Sequence, residues 1–197
     1  MQAARGASLN PSDQAESVPA RRRVDARLVF AGVALVAYAV DLGSKQWALS
    51  ALADGDIAVL GDWFTLHLTS NPGAAFSTGT GFTIVFTCLA MVAVAVVLWL
   101  SRRIASIGWA LALGLLLGGV AGNLTDRLVR DPEPFHGHVV DFLMLPNWPV
   151  FNVADICINV AAGLIILQTF RGVALDGGRD ADHRPDDTGA ASTPTQA

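Results

Sequence analysis

Four uncharged apolar runs constrain this chain more than any other feature. They are Leu28 to Val40, Phe82 to Leu100, Ile104 to Leu124 and Ile156 to Phe170. A bilayer core about 30 Å thick takes roughly 20 residues of helix, so the middle two runs span as they stand. The first reaches that length when Asp41 and Lys45 are admitted at its far end, and the fourth when Asp155 is admitted at its near end. Charged residues are only 15% of the chain against 52% hydrophobic, and they gather between the apolar runs, which is the pattern of an integral membrane protein. The expected fold is all-α and membrane-embedded, with four transmembrane helices at about 28–49, 82–100, 104–124 and 152–170 inside one domain, 27–171.

Basic residues set the expected orientation, because cytoplasmic loops and tails are rich in Lys and Arg. Arg21, Arg22, Arg23 and Arg27 precede the first span, Arg102 and Arg103 separate the second from the third, and Arg171 follows the fourth. Both termini are therefore expected in the cytoplasm, and the loops 50–81 and 125–154 outside. The flanking segments 1–26 and 172–197 lack apolar periodicity and are expected to be disordered tails. Without aromatic partners the triple arginine is a topology signal facing anionic lipid, and no nucleic-acid partner is expected. Cys88 and Cys157 fall within apolar spans as small hydrophobes, not as a disulfide. The first run keeps an acid–base pair and lacks a small-residue cleavage site, so it is expected to be a retained span.

Between Gly55 and Asn71 the periodicity changes from helical to alternating. Phe64, Leu66 and Leu68 alternate with Trp63, Thr65, His67 and Thr69, which predicts a strand, with Ile57 to Leu60 as its hairpin partner across Gly61-Asp62. A small extracytoplasmic β-sheet on the membrane surface is the expectation, with His67 facing outward rather than serving as a ligand. Asn71-Pro72-Gly73 then marks a turn. In the third span Gly114, Gly118 and Gly122 recur every fourth residue, with Gly119 beside them, a face for close helix packing.

Polar residues collect at one side of the membrane. Asp126, Asp141 and Asp155 all fall at or near the outer boundary, where a charge is costly unless paired or working. Asn152, Asp155 and Asn159 share one helical face, while Asp41 and Lys45, four apart, form an ion pair on the first span. A Ser44/Lys45 dyad is disfavoured, since a carboxylate beside the lysine raises its pKa. His136 and His138 with Asp141 lack further ligands at zinc-like spacing, so no metal is expected. Two carboxyls that approach within a hydrogen bond cannot both ionise; sharing one proton, they offer acid and base together and can activate water against an amide without a cofactor.

These pieces together resemble the bacterial lipoprotein signal peptidases, the type II signal peptidases. The matching segments are Asp41-Leu-Gly-Ser-Lys45, Asn71-Pro-Gly-Ala-Ala-Phe76, Gly118 to Arg127 in a GGxxGNxxDR pattern, Val139-Val-Asp141-Phe142 and Phe151-Asn-Val-Ala-Asp155. They lie in the family's order across about 28–170. The resemblance implies a membrane aspartyl endopeptidase of the bacterial cytoplasmic membrane. It would cut prolipoproteins on the amino side of a cysteine that already carries a diacylglyceryl group, with no cofactor and no required oligomer. Asp141 and Asp155 match the catalytic pair. Asn71, Gly73, Asn123, Arg127 and Asn152 match positions that line the substrate site, and Asp41 and Lys45 look structural. Asp126 remains a third candidate on the residues alone; Asp141 is favoured over it because Arg127, next in sequence, would hold Asp126 ionised. The rival class is a small transporter or channel subunit, which would distribute polar groups through the bilayer rather than gather them at one face.

Overall fold

A computed structural model describes residues 20–73 and 83–178, with side chains from 23 onward. Ala74-Ala75-Phe76 and the outermost parts of both tails lie outside the described residues. The described chain forms α1 (Ala20–Ala51), β1 (Ile57–Ala58), β2 (Thr65–Asn71), α2 (Thr83–Ser101), α3 (Ile107–Val129), β3 (Val139–Met144) and α4 (Val153–Phe170). All four helices are long and apolar enough to cross a membrane. The expected four-span architecture with a small sheet is therefore present.

α3 is the central helix, packed most extensively against α1 and α4. Its glycines explain how. A methyl on Gly118 would stand 2.7 Å from the Ala34 carbonyl oxygen, and one on Gly114 would stand 2.9 Å from that of Phe30, so this strip lets the α1 backbone come close. Gly119 lies on a different strip, where a methyl would meet the Ala154 carbonyl of α4 at 2.7 Å. Without a hydrophobic driving force inside lipid, such close approach is what holds helices together.

The sheet order is β1-β2-β3, antiparallel throughout. β1 and β2 match the expected hairpin, although β1 is only two residues long. β3 is an addition to the expected sheet: Val139, Val140 and Phe142 form a short buried apolar run between Gly137 and Pro146, a length typical of a strand. Asp141 thereby sits on a strand, at the register position opposite Thr69.

Several expected boundaries move. α1 begins at Ala20, inside the segment assigned to the tail 1–26, and Ala26 and Phe30 are buried in the bundle there. α3 begins at Ile107 rather than 104 and runs on to Val129, which puts Asp126 and Arg127 on the helix rather than in a loop. The segment after α4, assigned to a tail from 172, turns back: Trp109 Nε1 donates to the Val173 carbonyl at 2.7 Å, and the Leu175 carbonyl accepts from Ala105 at 2.9 Å. Leu175 packs against the cluster around Ile104, which gives that turn its reason to fold. At the same end Arg27 donates to the Arg102 carbonyl, so two of the basic clusters share the end of the bundle opposite the sheet.

Candidate active site

The site is framed by backbone pairing before any catalytic group is considered. Phe151 exchanges hydrogen bonds with Leu143, donating at 3.0 Å and accepting at 2.9 Å, which folds the 145–150 loop back on β3. The next residue, Asn152, is thereby laid against Asp141. It is also the N-cap of α4: its side chain accepts from the Asp155 N–H at 3.0 Å while Asp155 Oδ2 accepts the Asn152 N–H at 3.1 Å. This reciprocal capping box closes two orphan donors of the helix and fixes the rotamer of Asp155.

Asp141 and Asp155 are thus joined through one residue. Asn152 Nδ2 donates to Asp141 Oδ1 at 2.5 Å and to Asn123 Oδ1 at 3.2 Å, and Asn123 Nδ2 donates to Asp155 Oδ1 at 3.1 Å. The other oxygen of Asp141 accepts from Asn71 Nδ2 at 2.8 Å. Asn71 pairs with Val139, so Asp141 is its diagonal neighbour across the strands, within reach of a side-chain bond. The Asn71 amide is oriented by an Asx turn, its Oδ1 accepting from the Gly73 N–H at 2.8 Å. Gly73 has φ +107°, a conformation that favours glycine, and a methyl there would strike the Phe86 ring. The turn is tied down by Thr83 at the start of α2, whose hydroxyl donates to the Pro72 carbonyl at 2.6 Å.

Burial pushes the Asp141 carboxyl up to about 6. The hydrogen bonds from Asn71 and Asn152 oppose this, and the nearby charge of Asp155 adds to it. Asp141 is 1% exposed, whereas Asp155 is half-buried and lines a cleft of about 590 Å³ with Asn71, Gly73, Arg127 and Asn159. Phe86, Trp148 and Ile156 give the same cleft apolar walls. Arg127 lies over the Phe86 ring at 5.8 Å, and its Nη1 is buried with no acceptor among the described residues. A buried guanidinium N–H facing a cleft is a donor awaiting a ligand acceptor.

Asp41, Lys45 and Asp126 form a separate network beneath the site. Lys45 Nζ forms ion pairs with Asp41 at 2.8 Å and Asp126 at 2.9 Å and donates to Asn123 Oδ1 at 2.8 Å. The pair expected near the interface is instead fully buried in the bundle, and Asp126 is its third member. Asp41 also accepts from the Ala154 N–H at 2.9 Å, anchoring the first turn of α4. Of the two arginines expected to cluster with Asp126, Arg130 bonds it, with Nε 2.5 Å away, whereas the second cation is Lys45 rather than the adjacent Arg127; the Val140 N–H adds a further bond at 3.3 Å. Ser44 donates to the Asp41 carbonyl and does not face Lys45. His67, half-buried on β2, pairs with Asp56 at 2.9 Å. Among the described residues no three His, Cys, Asp or Glu side chains gather as a metal site needs.

The structure therefore brings the residues singled out by sequence into two adjoining clusters, one at the cleft and one beneath it. Sequence reading did not find the roles of Thr83, Phe151 or the third strand. The apolar run after Gly137 was the available signal for the strand; the Thr83 hydroxyl and the Phe151 backbone act on partners distant in sequence, which leaves no sequence signature.

Comparison with known proteins places the chain in a family. The signal peptidase (SPase) II family model matches residues 33–171. The chain is 44% identical to a lipoprotein signal peptidase of Leifsonia xyli over 90% of its own length and 84% of the relative's. It is 45% identical to one from Streptomyces griseus, with 76% and 77% covered, and 44% identical to one from Mycobacterium tuberculosis, with 76% of each covered. Two solved bacterial membrane enzyme structures, obtained by the in meso method, share the fold with TM-scores of 0.63 and 0.62 at 21% identity, covering 72% and 71% of this chain and 87% and 90% of theirs. On the family match and the identity over most of its length, this chain belongs to the signal peptidase II family of membrane peptidases.

Proposed function

We propose that this chain is an aspartyl endopeptidase that removes signal peptides from diacylglyceryl-modified prolipoproteins, with Asp141 and Asp155 as its catalytic pair. The observation that carries the reading is the Asn152 bridge: one residue bonds both carboxyls, and Asp155 lines a cleft that also presents an Arg127 donor with no acceptor among the described residues. Asp126 does not compete for the role, because it is paired with two cations, Lys45 and Arg130, and does not line the cleft.

Water enters between the pair with one proton shared. Burial, which raises the Asp141 carboxyl to about 6, makes it the holder of the pair's single proton, and the cleft-lining Asp155 is the base. Macroscopic pKa values belong to the pair rather than to either member. Asp155 takes a proton as the water oxygen bonds to the scissile carbonyl carbon, and Asp141 donates its proton to the carbonyl oxygen. Collapse of the tetrahedral intermediate breaks the C–N bond, with the proton on Asp155 passing to the leaving amine and the hydroxyl proton returning to Asp141. Arg127 and the Asn71 turn hold the peptide backbone in register, and the apolar walls take the side chains and lipid of the substrate. Three asparagines, Asn71, Asn123 and Asn152, orient the pair with donors that add no charge.

The basic clusters lie at the end opposite the sheet, which supports cytoplasmic termini and an active site at the outer face of the cytoplasmic membrane. The test is a gel-shift cleavage assay of the purified chain in detergent, with a prolipoprotein bearing or lacking its diacylglyceryl group. The expected result is cleavage of the lipidated form alone, abolished by Asp141→Asn and by Asp155→Asn in folded protein. Full activity of either variant would exclude the pair.

A further inference from the structure

The sheet end of the bundle carries a second cavity, of about 610 Å³, that shares no lining residue with the cleft. Leu49 near the end of α1, Val129 at the end of α3, Leu68 on β2 and Val140 on β3 form its apolar side. It therefore opens at the level where two spanning helices stop, the depth of the headgroup layer in a bilayer. Its polar side is Thr69 together with a group of four, Ser70, Arg130, Asp131 and His138.

The hydrogen bonding of those four leaves specific groups open. Arg130 uses only Nε toward the protein, on Asp126, and among the described residues neither Nη has an acceptor. Ser70 and His138 share a hydrogen bond of 2.9 Å through Nδ1, which leaves the imidazole Nε2 to the cavity. Asp131 is exposed, its carbonyl accepting from the His138 N–H at 3.0 Å, and no cation pairs with its carboxylate among the described residues. Charge balance then discriminates between headgroups. Lys45 and Arg130 cancel Asp41 and Asp126, so the charge left uncancelled is that of Asp131. A net anionic headgroup would meet a cavity already negative by one, whereas a headgroup with both a phosphodiester and an ammonium meets a complement for each.

We propose that this cavity is a binding site for a zwitterionic aminophospholipid. The phosphodiester sits on the free Arg130 N–H groups beside the Ser70–His138 pair, the ammonium pairs with Asp131, and the acyl chains run down past Leu49 and Val129. A planar guanidinium fork suits a phosphodiester and would hold two of its oxygens at once.

The proposal is tested by native mass spectrometry of the full chain in detergent with equimolar phosphatidylethanolamine and phosphatidylglycerol of matched acyl chains. Wild-type protein is expected to retain phosphatidylethanolamine by about fivefold, about 1 kcal/mol and the upper range for an exposed ion pair. Asp131→Asn should bring the ratio near parity, and Arg130→Lys, which keeps a cation for Asp126, should weaken retention of both lipids. If a thermal melt shows Arg130→Lys unfolded, the exposed Asp131→Asn decides alone. An unchanged ratio in Asp131→Asn, a preference for phosphatidylglycerol, or equal retention of both lipids by wild type, as nonspecific annular lipid would give, overturns the proposal.

Discussion

Replacing Asp141 by Asn should change how the stability of this protein depends on pH, whatever it does to the absolute value. The carboxyl moves from 3.8 to about 6 on folding, about 2 units, and at 1.36 kcal/mol per unit this is about 3 kcal/mol. A group whose folded pKa is raised favours the folded state in its protonated form. Its contribution is whole below pH 3.8 and is lost as pH rises through about 6. Asn cannot titrate, so the variant lacks this loss. One of the two donors on Asp141, from Asn71 or Asn152, will face the new amide NH₂, but that cost does not vary with pH and drops out of the comparison. Thermal unfolding in detergent, followed by circular dichroism from pH 3 to pH 7.5, should show the variant gaining on wild type by about 3 kcal/mol. For a chain of this size that is about 6–12 °C in Tm. Parallel curves over that interval would refute both the burial and the raised carboxyl on which the proposed acid depends.

Asn71→Ala removes a bond to the ionised form of Asp141, so the alkaline limb of kcat/KM should move up by about one pH unit, the worth of a charge-assisted hydrogen bond; a downward or absent shift in folded protein would contradict the assignment. Lys45→Met leaves Asp41 and Asp126 buried without their shared cation and should destabilise by about 3–5 kcal/mol, read as a large fall in Tm. Gly122→Ala would place a methyl 2.2 Å from Asp41 Oδ2 and should likewise lower Tm, whereas Gly163→Ala, with nothing within 4 Å, should leave it unchanged or raise it slightly. Similar effects at the two glycines would show that the Asp41 contact is not tight.

The candidate site was legible where a residue type is expensive in its context. Asp41, Lys45 and the aspartates stood out because charge near lipid demands an explanation, and Asn152 and Asp155 because their spacing puts them on one helical face. Asp126 shows where that reading stops. Its separation from the catalytic candidates was expected from the neighbouring Arg127, yet beside Arg130, one turn on, the cation that engages it is Lys45, 81 positions earlier on another helix. Adjacency in sequence is a weak guide on a helix, since successive side chains point about 100° apart.

The sequence by itself determined the four spans, the hairpin ahead of the second helix and the glycine strip on the third, because hydropathy and periodicity are local properties that lipid and close packing read directly. Tertiary structure alone decided that Asp141 lies on a third strand, that Phe151 folds back to lay Asn152 against it, and that Lys45 is buried among three acceptors. Each of these depends on backbone or side-chain partners far apart in the chain, whose meeting is set by how the helices and sheet pack rather than by any pattern within a single segment.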